Sequence, residues 1–380
     1  MAAGMNGRLG LVAERDPQSA ELVQRLLRLA VRNLPQAYAA GDFAFTLAGV
    51  RDPGGQWRLQ PDGVSLRYGV IAGLGLLRLP EHAQREVLGG DDCADLIGRL
   101  AKRLDDLTCR GDVALLCWAA AEADHSELPH ALDRLWDLDK RADPVDVVSA
   151  AWVVTALVAA RQMVDVEQHL ALSRDRLLAA RAAVFPHLIG GASPWYRAHV
   201  GSFADQVYPV QALARLHGSA DDPAALAVAD QVAAVICEAQ GRDGQWWWHY
   251  DSRTGGVVEG YPVYSVHQHA MAPMALLDLA DAGGQCHADA ICRGLRWLAG
   301  PPETMQDLVT DEPPVIWRKV ARSDPAKAVR GLRAASTRLS PGRGLPALGR
   351  VFRPGAIDHE CRPYELGWLL YAWLPQIAGL

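Results

Sequence analysis

The chain has no apolar run long enough to span a bilayer, because its longest hydrophobic segments are interrupted by Arg, Asp or Gln. It also lacks an excess of positive charge, since the 380 residues carry a formal net charge of -6. A protein without a general basic field is a poor partner for nucleic acid. With 50% hydrophobic and 22% charged residues, the composition is typical of a soluble globular protein. We therefore expect no membrane span and no nucleic-acid partner.

Cysteine is scarce as well. The seven cysteines are scattered and odd in number, so they indicate no disulfide framework. Residues 1–10 contain no long apolar core of the kind found in a signal peptide, and we expect a reducing, cytoplasmic location. Cys286, His287 and Cys292 are close in sequence, but their spacing fits no strong zinc pattern. We interpret these cysteines as buried residues of an amphipathic helix and expect neither a bound metal nor a cofactor.

Motifs of several large enzyme classes are also missing. The chain contains no Rossmann fingerprint, no P-loop and no nucleophile elbow. The alternation of polar and apolar residues that marks β-strands is almost absent. Helical periodicity is present instead, in two kinds of segment.

Six segments are apolar around most of their circumference, which predicts helices buried inside the protein. They are residues 65–79, 112–123, 146–160, 205–216, 265–279 and 364–374. Amphipathic helices are predicted before and between them, at residues 19–34, 82–106, 126–140, 168–184, 222–239 and 286–299. This alternation predicts an all-α fold, an α/α toroid in which about six inner helices are surrounded by about six outer helices. The alternative is an open superhelix of helical pairs, which would not explain why the inner helices are apolar nearly all round.

The toroid is expected to take up the whole chain, residues 1–380, as a single domain. Residues 318–353 are rich in arginine and lysine, and we predict a basic loop or insertion at residues 301–356. This segment is either a solvated surface or an edge at which an anionic substrate docks.

Aromatic and ionisable residues are concentrated in residues 239–279. The set is Trp246, Trp247, Trp248, His249, Tyr250, Asp251, Glu259, Tyr261, Tyr264, His267, Gln268 and His269. Such a concentration of rings, carboxylates and imidazoles is typical of a pocket wall. The alternative is a Trp-rich packing loop whose N–H and O–H groups find local partners.

One motif in this stretch resembles a known repeat. Gln240-Gly-Arg-Asp243-Gly244-Gln-Trp246 is similar to the Gln-Trp repeat of squalene cyclases and related enzymes of the terpenoid cyclase and protein prenyltransferase superfamily, and Gly54-Gly55-Gln-Trp57 is a weaker copy. The resemblance implies an α/α toroid, in which this repeat is structural. Those cyclases protonate an alkene with an Asp-x-Asp-Asp motif. Here Val145 of Asp143-Pro-Val-Asp146 stands where the acid of that motif belongs, so protonative cyclisation remains only an alternative.

The second half of the same stretch resembles glucuronyl carbon-5 epimerases and other toroidal enzymes that act on sugars. The matching residues are Gly244, Trp246, Tyr250, Asp251, Tyr261, Tyr264 and His267. This resemblance implies a carbohydrate substrate. The aromatic content agrees with it, because Trp and Tyr faces stack on sugar rings and the chain has 12 Trp against only 5 Phe.

In a closed toroid, the loops that lead into the inner helices meet at one rim, where the helix N-termini favour anionic groups. The polar residues at these positions are Arg67, Tyr68, Asp112, Asp146, Asp205, Gln206, Tyr208, Tyr264, His267, Gln268, His269, Glu360, Arg362, Tyr364 and Glu365. For Asp112 and Asp146 we favour a helix-capping role. Together the residues predict a polar cavity with aromatic walls.

We predict an enzyme with a central toroid cavity that acts on a small carbohydrate or glycoconjugate, either as a uronate epimerase or lyase or as a hydrolase. His267 with Tyr261 or Tyr264 is the predicted proton-transfer pair, and Glu259 or Asp205 would orient it. A hydrolase needs two facing carboxylates, for which the candidates are Asp205, Asp251, Glu259 and Glu360. The predicted substrate contacts are Tyr68, Arg197, Tyr208, Trp246, Trp248, His249, Tyr250, Asp251, Gln268, Glu360 and Arg362. Arg197 and Arg362 would bind a carboxylate or phosphate, unless each forms a structural ion pair. A terpenoid cyclase-like enzyme and a non-catalytic binding toroid are the alternatives.

Overall fold

A computed structural model describes residues 7–141, 143–191 and 193–376. In chain order the α-helices are α1 (Arg8–Arg15), α2 (Pro17–Ala37), α3 (Leu66–Leu76), α4 (Glu81–Val87), α5 (Cys93–Ala101), α6 (Arg110–Glu122), α7 (Leu128–Asp139), α8 (Val147–Ala160), α9 (Glu167–Ala180), α10 (Ala204–Ala220), α11 (Pro223–Glu238), α12 (Ala272–Asp281), α13 (Ala288–Ala299), α14 (Ala328–Leu339), α15 (Pro346–Val351) and α16 (Pro363–Trp373). A π-helical turn at His267–Met271 leads directly into α12. Short 3₁₀ turns lie at Leu104–Asp106, Trp195–Arg197 and Pro325–Lys327.

The helices form two concentric rings. The inner ring consists of α3, α6, α8, α10, α12 and α16, each packed against the next, and α16 closes the ring by packing against α3. Outside it, α5, α7, α9, α11 and α13 pack against the inner helices, and α2 covers α16. The protein is thus an α/α toroid with six inner and six outer helices, and the predicted fold class is confirmed. None of the described helices combines the length and apolar composition that a membrane crossing would require.

The apolar character of the inner helices follows from their burial on all sides. Eleven of the fourteen residues of α8 are buried, whereas only four of the fourteen residues of the outer helix α9 are. The ring closes through a close backbone approach of α3 and α16. A Cβ atom at Gly75 would lie 2.3 Å from the carbonyl oxygen of Gly367, so both positions need glycine.

The predicted helix at 82–106 is wrong in its extent. The structure breaks it into α4, α5 and the 3₁₀ turn Leu104–Asp106. Gly89 and Gly90 both adopt positive φ, at 65° and 110°, which ends α4. Asp92 then starts α5 with a capping box, in which its side chain accepts a hydrogen bond from the Asp95 N–H.

Within the described part of the chain, the loops of the toroid contain fifteen short strands, which the sequence did not predict. They are β1 (Tyr38–Ala39), β2 (Asp42–Phe43), β3 (Thr46–Arg51), β4 (Trp57–Asp62), β5 (Val145–Asp146), β6 (Leu188–Ile189), β7 (Val200–Ser202), β8 (His249–Asp251), β9 (Val257–Glu259), β10 (Val263–Tyr264), β11 (Val309–Asp311), β12 (Pro314–Ile316), β13 (Lys319–Arg322), β14 (Pro354–Asp358) and β15 (Glu360–Cys361). Three sheets have three strands each, with the orders β15-β3-β4, β7-β8-β9 and β10-β13-β14. Strands of two to six residues are too short for a clear period of two to stand out.

The predicted basic loop at 301–356 is an ordered part of the rim. It contains β11, β12, β13, α14, α15 and most of β14. Strand β13 pairs antiparallel with β10, which directly precedes the π-helical turn, and Val320 lies opposite Val263 in this register. Helix α14 packs against β9 and against the 3₁₀ turn Trp195–Arg197. The segment is therefore anchored against the loops that lead into the inner ring.

A buried ionic network lies where the C-terminal halves of the inner helices meet. Arg215 of α10 donates to Asp278 of α12 at 2.9 Å, and Arg78, which follows α3, pairs with Glu122 of α6 at 2.8 Å. Tyr371 of α16 bonds to both Arg215 and Glu122. The network joins five of the six inner helices at the end opposite their N-termini.

Replacing Arg215 with methionine is expected to lower the free energy of unfolding by about 1–3 kcal/mol, because Asp278 and Glu122 each lose one of two positive partners and keep only Arg8 and Arg78. Denaturant unfolding at neutral pH would measure the change. Arg85→Met is the control, since Arg85 also pairs with two carboxylates but at the surface, and its Tm should hardly move. Equal effects of the two substitutions would show that the network does not hold the ring together.

Candidate functional site

The N-terminal ends of the inner helices surround a cavity of about 470 Å³, which we call the inner cavity. Its walls come from the beginnings of α3, α8, α10 and α16, from the π-helical turn and from adjoining loops. The lining residues are Arg67, Tyr68, Ile71, Asp146, Val148, Trp152, His187, Ser202, Ala204, Asp205, Tyr208, Trp248, Tyr264, His267, Met271, Arg318 and Tyr364. The cavity is thus where the toroid geometry was expected to bring polar residues together.

A second space of about 560 Å³, the outer cleft, adjoins the inner cavity. The two share His187, Ser202, Asp205 and Trp248 as wall residues. The other residues that line the outer cleft are Leu188, Ser193, Pro194, Tyr196, Arg197, Val200, His249 and Arg330. A ligand longer than one sugar can therefore extend from the cavity into the cleft.

Asp205 lies at the junction of the two spaces, in the first turn of α10. The backbone N–H and the hydroxyl of Ser202 donate to its carboxylate at 2.6 and 2.8 Å, and Nδ1 of His187 lies 3.2 Å away. Complete burial raises the pKa of Asp205, although the hydrogen bonds from His187 and Ser202 act in the opposite direction. The hydrogen bond with Asp205 raises the pKa of the half-exposed His187. Asp205 therefore keeps a proton to higher pH than an ordinary aspartate does.

Asp146 supplies a second carboxylate to the inner cavity. It is the N-cap of α8, accepting hydrogen bonds from the N–H and hydroxyl of Ser149 at 2.8 and 2.7 Å. The capping role expected for Asp146 is therefore present, but its side chain also lines the cavity. Asp112 does not line the cavity. The capping role expected for Asp112 is wrong, because Cys109 is the N-cap of α6 and Asp112 lies inside the helix, where it pairs with Arg67 at 2.5 Å.

Two arginines bring positive charge to the inner cavity. Arg67 is partly exposed and lies over the ring of Trp152 at 5.5 Å. Arg318 lies over the ring of Tyr264 at 5.0 Å, and its Nε is 3.4 Å from Glu365. Burial raises the pKa of Glu365 to about 7, so its negative charge is only partly present near neutral pH. Each arginine also has an ionised neighbour, Asp112 for Arg67 and Asp358 for Arg318 at 3.5 Å. A substrate carboxylate in the cavity would share these cations with their protein partners.

Aromatic rings form the walls. The ring of Trp248 lies nearly parallel to that of His267, 6.0 Å away, and 4.8 Å from Tyr264. On another part of the wall, Trp152 and Tyr208 make an edge contact at 5.1 Å. Such faces suit the stacking of sugar rings.

His267 is at the start of the π-helical turn, a distortion that often marks functional sites. Burial lowers its pKa to about 3, so the ring is neutral at ordinary pH. The residue lines the inner cavity, although its Nδ1 atom is itself buried and has no hydrogen-bond partner among the described residues. His267 is therefore suited to exchange a hydrogen bond with a ligand but poorly suited to take up a proton.

The structure brings part of the predicted site together. Tyr68, Asp205, Tyr208, Trp248, Tyr264 and His267 line the inner cavity, and Arg197 and His249 line the outer cleft. Arg67, Asp146 and Tyr364, which the sequence placed at the rim without assigning them to the site, also line the inner cavity.

Two of the predicted catalytic residues lie outside both spaces. The Tyr261 hydroxyl donates to Glu303 at 2.6 Å. Glu259 is buried between Arg322 and Arg333, at 3.3 and 3.4 Å. The structure therefore corrects the assignment of both residues, since each is engaged in a structural contact behind the cavity wall.

Six of the predicted substrate contacts also line neither space. Trp246 and Tyr250 are fully buried around Phe203, and Asp251 pairs with Arg253 at 2.8 Å. Gln268 is fully buried, and its amide donates to the Tyr264 carbonyl. Glu360 and Arg362 pair with each other at 3.1 Å, and Arg362 donates to the hydroxyl of Tyr68 at 2.9 Å. These six residues therefore make structural contacts in the protein around the cavity and do not line the cavity itself.

Seven further polar or aromatic wall residues were not identified as site residues from the sequence. They are Trp152, His187, Ser193, Tyr196, Ser202, Arg318 and Arg330. His187 lies in the loop after α9, whereas Arg318 and Arg330 lie in the segment predicted as a basic loop. The one available signal was the charge of that segment, which had suggested an edge for docking an anion.

Within the residues that the structure describes, no group of three or more His, Cys, Asp or Glu side chains is placed to hold a metal ion. Cys292 is buried, as expected, but Cys286 is exposed because it precedes α13 rather than lying inside it.

No family profile matches the chain, and no curated protein matches it in sequence. Among solved structures, it is similar to an unsaturated glucuronyl hydrolase specific for heparin, with a TM-score of 0.57 and 13% identity over 93% of this chain and 96% of that one. It is also similar to the unsaturated glucuronyl hydrolase of Streptococcus agalactiae, with a TM-score of 0.58 and 11% identity over 92% of this chain and 90% of that one. The chain shares the fold of these enzymes.

A third similar structure is the unsaturated glucuronyl hydrolase of Bacillus sp. GL1, which is described as responsible for glycosaminoglycan degradation. Its TM-score is 0.53, with 14% identity over 93% of this chain and 95% of that one. All three structures are carbohydrate enzymes, in agreement with the second of the two resemblances seen in the sequence. None of the three is a terpenoid cyclase.

Proposed function

We propose that this protein is a hydrolase that acts on short oligosaccharides ending in an unsaturated uronic acid. The observation that carries the proposal is the pairing of two carboxyl groups, Asp205 and Asp146, in one cavity with aromatic walls and two arginines. Hydrolysis of sugars generally uses two carboxyl groups. The arginines would bind the uronate carboxylate, and the similarity in fold to unsaturated glucuronyl hydrolases supports this substrate class.

Asp205 is the proposed general acid. Its raised pKa keeps the proton on the carboxyl until the substrate takes it, as required of an acid that works above the ordinary range of aspartate. Asp146 is the proposed base, which accepts a proton from the water that adds to the substrate. His187 is hydrogen-bonded to Asp205 and positions that carboxyl. It also favours reprotonation of the Asp205 carboxylate after the reaction.

His267 takes a different role from the one expected from the sequence. A ring with a pKa of about 3 is not a useful base near neutral pH. We assign it instead to hydrogen bonding with a sugar hydroxyl, because the residue lines the inner cavity and its ring is neutral. Tyr264 and Trp248, which flank it, would form the stacking surface.

The charge of the cavity distinguishes this proposal from the terpenoid cyclase alternative. Two carboxyls, two arginines and His187 line the same space. These polar side chains can form hydrogen bonds with the hydroxyls and carboxylate of a sugar. A hydrocarbon substrate would displace water from the same side chains without replacing its hydrogen bonds, which is unfavourable.

Incubation with a disaccharide that carries an unsaturated uronate at its non-reducing end tests the proposal. We expect the ultraviolet absorbance of the conjugated double bond to fall and the second sugar to appear free in the mass spectrum. The saturated disaccharide is the control and should react much more slowly, if the double bond is part of what the enzyme recognises. Absence of turnover for every unsaturated uronate offered would contradict the proposed function.

A further inference from the structure

The outer cleft contains more positive charge than the structure neutralises. Arg197 and Arg330 both line it. Among the ion pairs of the described residues, neither arginine has a carboxylate partner, whereas Arg322 and Arg333 nearby share Glu259. The one carboxyl that lines the cleft is Asp205, at its inner end, where His187 already contacts it.

Arg330 is the more informative of the two arginines. It is partly buried, its guanidinium lies 5.6 Å from the ring of Trp248, and its Nε is buried without a hydrogen-bond partner among the described residues. Burial lowers its pKa, and the charge of Arg197 lowers it further, while Glu259 and Asp324 offset this only from beyond pairing distance. Burying part of a cation without a partner is costly, and an anionic ligand in the cleft would supply the missing partner.

The fold holds both arginines in place. Arg330 is in α14, and Arg197 ends the 3₁₀ turn against which α14 packs. A hydrogen bond of 2.9 Å between Thr337 of α14 and His199, two residues after Arg197, ties the two segments together. The two cations are thus positioned by packed secondary structure rather than left on a free loop.

His249 also lines the cleft but does not add to this charge. Burial and the two arginines lower its pKa well below the usual value, so the ring is neutral. It remains able to exchange a hydrogen bond with a ligand. The cleft therefore presents two guanidinium groups and the neutral imidazole of His249, with His187 beside Asp205 at its inner end.

We propose that the outer cleft binds an oxyanion, a sulfate ester or a carboxylate, carried by the sugar on the leaving side of the cleaved bond. The inference rests on the proposed function, which places the unsaturated uronate in the inner cavity. The cleft continues from Asp205 past Trp248, so the second sugar of the substrate would lie between the acid and the two arginines. Guanidinium groups suit oxyanions because their N–H groups match two oxygens at once.

Steady-state kinetics with three disaccharides test this inference. All three carry the same unsaturated uronate, and the second sugar is neutral, sulfated or itself a uronic acid. For the wild-type protein we expect a lower KM with one or both charged substrates, and the one preferred identifies the oxyanion. Arg330→Gln should raise the KM for that substrate about 10- to 100-fold, so that the preference over the neutral substrate largely disappears.

Arg338→Gln is the matched control, because Arg338 lies in the same helix but is exposed and does not line the cleft. It should preserve the preference. Equal KM values for all three substrates in the wild type, or a preference that survives Arg330→Gln, would overturn the assignment of the cleft and leave the proposed function intact.

Failure of the proposed function itself is recognised separately. If no substrate is hydrolysed, inorganic sulfate still probes the cleft through a thermal-shift titration, since a ligand of the native state raises the Tm. A rise in wild type that is lost in Arg330→Gln but kept in Arg338→Gln supports the oxyanion site. An equal response of all three proteins overturns it.

Discussion

Asp205→Asn is expected to lower kcat for the unsaturated disaccharide by about 10²- to 10⁴-fold, because the amide cannot donate the proton that the carboxyl supplies. The asparagine oxygen can still accept the hydrogen bonds from Ser202, so the local structure should survive. Progress curves of the double-bond absorbance would measure kcat and KM. The Tm of the variant should not fall, since a buried carboxyl that resists ionisation adds little stability near neutral pH.

The pH dependence of the same reaction provides a second test of Asp205. The pKa of Asp205 is raised in the folded protein, so the acid form is present below that pKa and is lost as the pH rises through it. Wild-type kcat should therefore decrease as the pH rises through the pKa of Asp205. The residual activity of Asp205→Asn should not show this decrease. An unchanged profile in the variant would assign the decrease to another group, such as His187.

Asp146→Asn is the second change for which we expect a large loss, again about 10²- to 10⁴-fold in kcat. The substitution separates chemistry from structure, because asparagine caps a helix about as well as aspartate does. Helix α8 should keep its N-cap bond to Ser149, and only the capacity to accept a proton is removed.

Asp16→Asn is the matched control for Asp146→Asn. Asp16 caps the outer helix α2 with the same pattern of bonds, accepting from the N–H and hydroxyl of Ser19 at 3.4 and 2.8 Å. It also pairs with Arg296 at 2.5 Å, but that arginine is exposed, so the loss of this pair should cost little stability. Both variants should melt close to the wild-type temperature, and only Asp146→Asn should lose activity. Full activity in Asp146→Asn would show that Asp146 serves only as a helix cap and is not the base of the proposed mechanism.

The ring of helices could be predicted from the sequence because burial on all sides leaves a local signature. Segments such as α8 and α16 are apolar on every face, which few environments other than an inner ring explain. The rim groups Tyr68, Asp146 and Asp205 could be identified for a related reason. Each lies at the beginning of an inner helix, and the beginnings of these helices meet in a toroid.

The remainder of the site depends on contacts between distant parts of the chain. Arg318 reaches the cavity because β13 pairs with β10, about fifty residues earlier, and no local pattern encodes that pairing. Within residues 239–279 the difficulty was the direction of the side chains. Trp248 faces the cavity, whereas Trp246 and Tyr250 turn into the core. A regular strand would place these alternate residues on one face, but β8 begins only at His249, so the alternation does not extend to Trp246 and Trp248.

The location of the substrate tests the central claim most directly. A crystal structure of Asp205→Asn with the unsaturated disaccharide should place the uronate ring in the inner cavity, against Trp248 and within hydrogen-bond distance of His267. Its carboxylate should contact Arg67 or Arg318, and the second sugar should extend into the outer cleft. Clear binding of the disaccharide at any other surface, with the inner cavity empty, would contradict the account.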